Sequence, residues 1–134
     1  MNFLSDKGAE KQTIMIPINS AGMFNTAGFI NGAQVNFLID TGASQVAMNE
    51  TTARRIGLQY KLKGQRGIVT TASGRSSAWF LTLDKINVKG LELRLVEGVV
   101  VKGTGPSEVL LGMSFLKQLK MQNDGNLMRL TKKY

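Results

Sequence analysis

One carboxylate in this chain stands where its neighbours suit chemistry. Phe37-Leu38-Ile39 is an apolar run that delivers Asp40, Gly42 breaks the run at once, and Thr41 and Ser44 put hydroxyls beside the acid. An apolar run of this kind reads as a strand with a core on both faces. Glycine lets the chain turn through backbone angles barred to other residues, so Asp40 is expected at the edge of a rigid sheet, where a loop begins. What the chain lacks narrows the chemistry. Histidine is absent, which removes Ser-His and Cys-His catalysis and most zinc chemistry, and cysteine is absent, which removes disulfides and thiolate metal sites. Among common hydrolytic devices carboxylates remain, and neither a metal nor a cofactor is expected.

Taken alone, Asp40 and Gly42 fit equally well as ordinary turn residues closing a strand. A second stretch changes that balance. Val109-Leu110-Leu111-Gly112 is an apolar strand ending in glycine, followed by Met113 to Leu119, which reads as a short helix. Such a strand can pass under the aspartate loop with no side chain in the way. Together, Asp40-Thr41-Gly42-Ala43-Ser44 and Leu110-Leu111-Gly112 resemble the retropepsin-like aspartic proteases, whose nucleus is Asp-Thr/Ser-Gly-Ala/Ser after an apolar strand. Members of that family also carry two apolar residues and a glycine before a later short helix.

The resemblance runs from about Thr13 to Leu130 and is strongest toward bacterial single-domain members. It implies an all-β acid-protease barrel with two short helices, functional as a homodimer and acting on peptide or protein substrates. By the same resemblance Asp40 is catalytic, and Thr41, Gly42, Ala43 and Ser44 support its loop. Leu110, Leu111 and Gly112 pack beneath that loop, and Ala72, Ser73 and Gly74 form the tip of a substrate-covering flap. Bacterial relatives are often membrane-tethered, which implies a tether outside this sequence and a periplasmic or membrane-bound setting. Many retroviral members have a second acid where Ser44 stands and an arginine where Met113 stands, the two forming an ion pair. Both are replaced here, as in a cellular branch. The glycine-rich flap tip of viral members is reduced to Gly74.

The elements that must position Asp40 can be followed along the chain. Residues 1–12, polar at Ser5-Asp6-Lys7, read as a flexible lead-in to one domain over 13–134. Thr13 to Ile18 is a strand whose Pro17 suits a sheet edge or strand end. Met23 to Ile30 and Ala33 to Ile39 form a hairpin through Asn31-Gly32, the dipeptide best suited to a two-residue turn. Asn49 caps a helix from Glu50 to Ile56, which Gly57 stops. Ile68 to Thr71 and Ala78 to Leu83 are strands joined by a loop from Ala72 to Ser77. Leu91 to Leu95 alternates apolar with charged, Glu97-Gly98 is expected to interrupt before Val99, and a last strand fits Leu127 to Leu130.

The chain of 134 residues is 43% hydrophobic, with a net charge of +8 and an isoelectric point near 10.1. No apolar stretch reaches the roughly 18 residues of a membrane span, so the sequence as given reads as soluble. The basic residues are scattered, with one denser stretch at Arg54, Arg55, Lys61, Lys63 and Arg66, and few aromatics interleave with them to stack bases. A solvated surface is therefore expected rather than a nucleic-acid interface. Only one Asp-Thr-Gly occurs, and Asp6, Asp84 and Asp124 lack its setting, so a two-carboxylate site requires two copies of the chain. The alternative is a domain of the same shape that binds peptides or partners without cutting them.

Overall fold

The computed structural model describes residues 11–133, so Met1 to Glu10 of the expected lead-in lie outside the described residues. Among the described residues ten strands form two sheets, accompanied by three short helices. In the first, β1 (Thr13–Pro17), β10 (Leu127–Lys132) and β9 (Leu119–Asn123) lie in the order β1-β10-β9, all antiparallel, with Pro17 the last residue of an edge strand. The second holds β2 (Asn25–Ile30), β3 (Ala33–Ile39), β4 (Val46–Asn49), β5 (Gln65–Thr71), β6 (Gly74–Val88), β7 (Leu91–Val101) and β8 (Val109–Leu111) in the order β2-β3-β8-β4-β7-β6-β5. A further pairing of β2 with β6 closes six of these strands into a barrel and leaves β5 outside it, paired to β6 alone.

Two hairpins use left-handed turn geometry. Asn31 and Gly32 have φ of 51° and 86°, and Lys89 and Gly90 have 51° and 90°; both are turns whose twist matches that of the flanking strands. The barrel interior fills with Phe37, Leu111, Phe115, Leu83, Ile86 and Val46, all fully buried, and Ile14, Ile16, Met128 and Leu130 of the small sheet join the same core. Burying each such side chain contributes about 1.5–3 kcal/mol.

Helix α1 (Glu50–Arg55) is capped as its sequence predicts: the Asn49 side-chain oxygen accepts from the Thr52 amide at 3.0 Å. Gly57 follows with φ of 79°. Two short helices are expected and three are present among the described residues, because Tyr60–Lys63 forms a single turn, α2. No side chain caps it; it rests on tertiary contact, the Tyr60 ring lying edge-on to Trp79 at 5.1 Å.

Helix α3 (Met113–Leu116) is shorter than its apolar stretch suggests, since Leu119 is drawn into β9 against Lys132. Nor does Glu97-Gly98 interrupt β7. Gly98 lies in the strand, where an added Cβ would meet the Leu83 side chain at 2.8 Å, so the glycine makes room for a core leucine. The alternation instead slips at Leu95, whose φ of 54° turns its side chain outward at 71% exposure and brings Val96 in. The loop expected from Ala72 to Ser77 shrinks to Ala72-Ser73, with Thr71 already paired to Gly74. None of the helices described is long and apolar enough to cross a membrane.

Candidate active site

Asp40 owes its position to two strands that run parallel. β3 pairs with β8 through Phe37 with Val109, Leu38 with Leu110 and Ile39 with Leu111, and the Asp40 amide continues the ladder by donating to the Leu111 carbonyl at 3.2 Å. The chain then turns tightly. The Gly42 amide donates to Asp40 Oδ1 at 2.9 Å and the Ala43 amide to the Asp40 carbonyl at 3.2 Å, an arrangement in which an aspartate side chain holds its own loop. Asp40 is half-buried, Thr41 and Ser44 are exposed, and neither of those hydroxyls has a hydrogen-bond partner among the described residues.

Gly112 lies directly under this loop. A Cβ there would collide with the Gln45 carbonyl and come within 2.7 Å of the Ala43 carbonyl, both main-chain atoms that cannot swing aside. That absence of a side chain lets the start of α3 dock: the Met113 amide donates to the Ala43 carbonyl and the Ser114 amide to the Ser44 carbonyl, each at 2.8 Å. The structure thus brings Asp40–Ser44 and Leu110–Gly112 into one unit.

Ser114 completes this unit and sequence reasoning passed over it. It is 8% exposed, its hydroxyl donates to the Glu97 carbonyl at 2.7 Å, and it accepts from the Val46 amide at 3.1 Å, tying the loop's exit to β7. The only signal for it in the sequence is a lone hydroxyl among Met113, Phe115 and Leu116. Ala72, Ser73 and Gly74 lie elsewhere, at the exposed tip of the β5–β6 hairpin. That tip is stiffened by Thr71, whose hydroxyl donates to the Gly74 carbonyl at 2.9 Å and accepts from the Ser73 amide at 3.2 Å. No hydrogen bond among the described residues joins the tip to the Asp40 loop.

An apolar cavity of about 280 Å³ opens beside the strand ends that carry Asp40, lined by Leu38 and Leu110 with Ala47, Val101 and Pro106. Its wall from Lys102 to Glu108 hangs on the start of α1. Asn49 Nδ2 donates to the Pro106 carbonyl at 2.6 Å, the Gly103 amide to Glu50 Oε2 at 2.7 Å, and the Glu50 amide to the Gly103 carbonyl at 3.1 Å. The other Glu50 oxygen accepts from the Tyr60 hydroxyl at 2.6 Å. These donors, Tyr60 foremost and then Gly103, hold the Glu50 carboxyl below the usual carboxylate range despite its burial. Tyr60 is pushed up from its ordinary value, by burial first and by the Glu50 hydrogen bond second. Among the described residues no three acidic side chains gather in a way that could hold a metal ion.

Comparison with known proteins agrees with this geometry. Residues 26–118 match the family model described as "gag-polyprotein putative aspartyl protease". A Sinorhizobium protein, named as an uncharacterized protein in the cobV 5′ region, is 32% identical over 83% of this chain and 48% of its own length. The chain spans about half the length of the curated relatives it matches. Among solved structures, a retropepsin-like aspartic protease from Rickettsia conorii is 32% identical with a TM-score of 0.77, covering 92% of both chains. The retroviral protease-like domain of Ddi1 from Leishmania major is 26% identical with a TM-score of 0.58, covering 76% of this chain and 81% of its own. With an aspartate loop braced from below by a glycine-ended strand and a family match over most of the barrel, the chain belongs to the retropepsin-like aspartic proteases.

Proposed function

We propose that the chain is an aspartic endopeptidase whose site forms from two Asp40 carboxylates, one from each subunit of a homodimer. The observation that carries this reading is the Asp40 loop itself. Its carboxylate is half-buried on a loop bonded to β8 and α3, held by its own Gly42 amide, and it is the only one in the chain set in Asp-Thr-Gly. Two such loops meeting on a twofold axis would place like charges side by side, and such a pair keeps one proton between its members. The ionised member then takes a proton from water as the water attacks the peptide carbonyl. The protonated member polarises that carbonyl, and no acyl-enzyme forms.

The other parts take supporting roles in this reading. Thr41, exposed beside Asp40, is free to meet its counterpart across the axis, and Ser44 holds α3 through its carbonyl. The cavity beside Leu38 and Leu110 receives an apolar substrate side chain, and the hairpin tip at Ala72, Ser73 and Gly74 closes over the peptide backbone. Incubation of the protein with a mixed peptide library, beside Asp40→Asn, tests the proposal. Asparagine keeps the oxygen that accepts from Gly42 but can neither share a proton nor activate water. The variant is expected to fold and pair normally while cleavage disappears, and cleavage by the variant near the wild-type rate would place the site elsewhere.

A further inference from the structure

Two members of the basic stretch that reads as a solvated surface in the sequence come together in the fold with a third cation from far along the chain. Lys61 on α2, Arg66 on β5 and Lys102 just after β7 converge on a second cavity, of about 380 Å³, completed by Trp79 and Glu50. Lys102 also lines the apolar cavity, so the two are neighbours. Two of the three cations are held by one ring. The Arg66 guanidinium carbon lies 5.1 Å from the Trp79 centroid and Lys61 Nζ lies 5.8 Å from it, with the Tyr60 ring 6.0 Å from the same nitrogen. An indole attracts a cation to its face. It does not neutralise one.

Among the described residues Glu50 is the only carboxylate lining this cavity, and it is already engaged. One of its oxygens takes the Tyr60 hydroxyl and the other the Gly103 amide, while Arg54 and Lys61 lie 3.6 and 3.9 Å from the first. Neither Arg66 nor Lys102 has an acidic partner within 4.0 Å among the described residues. The cavity therefore carries surplus positive charge, and the Lys61 and Arg66 heads are already oriented by the Trp79 ring. A guanidinium lying over a ring leaves its N–H edge for bidentate contact with a planar or tetrahedral oxyanion. A nucleic-acid strand is disfavoured, because Trp79 and Tyr60 are 6% and 4% exposed and offer no free face on which a base could stack.

We propose that Lys61, Arg66 and Lys102 around Trp79 form an oxyanion-binding site, filled by the carboxylate of an acidic peptide or by free phosphate. Arg66 belongs to β5, outside the barrel, whereas Trp79 lies on the barrel strand β6, Lys102 follows β7 and Lys61 belongs to α2. A bound oxyanion bridges β5 to the barrel and slows hydrogen exchange along β5.

Trp79 is the only tryptophan in the chain, so its emission reports on this site alone. Calorimetric titration at low ionic strength, with inorganic phosphate in one arm and a glutamate-rich peptide in the other, is to be paired with Trp79 fluorescence. Saturable heat with a matching change in emission is expected in at least one arm, and the arm that responds identifies the source. Arg66→Gln and Lys61→Gln, both at exposed positions, should each raise the dissociation constant about tenfold, and Lys102→Gln provides a third variant. Absence of saturable heat in both arms, or unchanged affinity in the Arg66→Gln, Lys61→Gln double variant, overturns the proposal. Cleavage is not read in this experiment, so its failure leaves the peptidase proposal untouched.

Discussion

Adding one methyl group at Gly112 drives it into the main chain above, against the carbonyls of Gln45 and Ala43. Main-chain atoms in a loop tied by the Met113 and Ser114 amides have nowhere to go, so the strain falls on the hydrogen bonds that hold Asp40 in place. Gly112→Ala is expected to lose about 3 kcal/mol, the upper part of the range for overpacking a well-filled site, read from the urea midpoint. Gly42→Ala is milder, since Gly42 does not adopt the glycine-only backbone angles expected of it from the sequence, and its new carbon would meet only Asp40 Oδ1 at 3.2 Å, a contact a side chain can ease. A loss at Gly112 no greater than at Gly42 would mean that the loop yields and that close packing is not what holds it. This part of the site is legible in the sequence, because an apolar strand that ends in glycine is suited to a place where another segment of main chain passes close by. Ser114 is not legible there, since nothing local marks a serine that bonds to Glu97 and Val46, 17 and 68 residues away in the chain.

Among elements, α1 shows how local signals and tertiary ones divide. Asn49 and Glu50 through their side chains and Gly57 through its backbone freedom mark its ends within a few residues, and those marks are present in the fold. The same holds for the Asn31-Gly32 turn. The single turn at Tyr60 and the polar strand β9 depend on partners far along the chain, Trp79 for one and β10 for the other, which no local pattern carries. Glu50 belongs to both kinds: an acid in the first turn of a helix, and also the anchor of Gly103 and Tyr60. Because its folded pKa lies below the ordinary value of 4.5, its contribution is complete above that value and is lost as pH falls through the depressed one. Glu50→Gln is expected to cost about 1–2 kcal/mol at neutral pH, the difference between charged and neutral hydrogen bonds. The gap between the two proteins should narrow on acidification below pH 4.5. A gap that stays constant to about pH 3 in denaturation curves would show that the ionised carboxylate is not what anchors the cavity wall.

At the scale of the whole molecule, the barrel and the small sheet build one rigid platform that presents one carboxylate, and the chemistry proposed for it needs two. If the competent site exists only in the pair, activity at high dilution should fall with the square of protein concentration, as the dimer comes apart. It should also fall on both sides of a pH window. Too much acid protonates both aspartates and too little ionises both, so the profile reports the pair rather than either residue, with no histidine or cysteine to reshape it. The sharper experiment holds wild-type concentration fixed and adds Asp40→Asn in tenfold excess under conditions that allow subunits to exchange. Random pairing leaves only roughly a tenth of wild-type chains with a wild-type partner. The mixed pairs hold one aspartate and one asparagine, a site that cannot both activate water and donate a proton. Activity is therefore expected to drop toward a tenth of its starting value, on the timescale of exchange rather than of mixing. Undiminished activity, with mixed dimers demonstrated by mass spectrometry, would show that one Asp40 suffices and that the paired-carboxylate site is wrong.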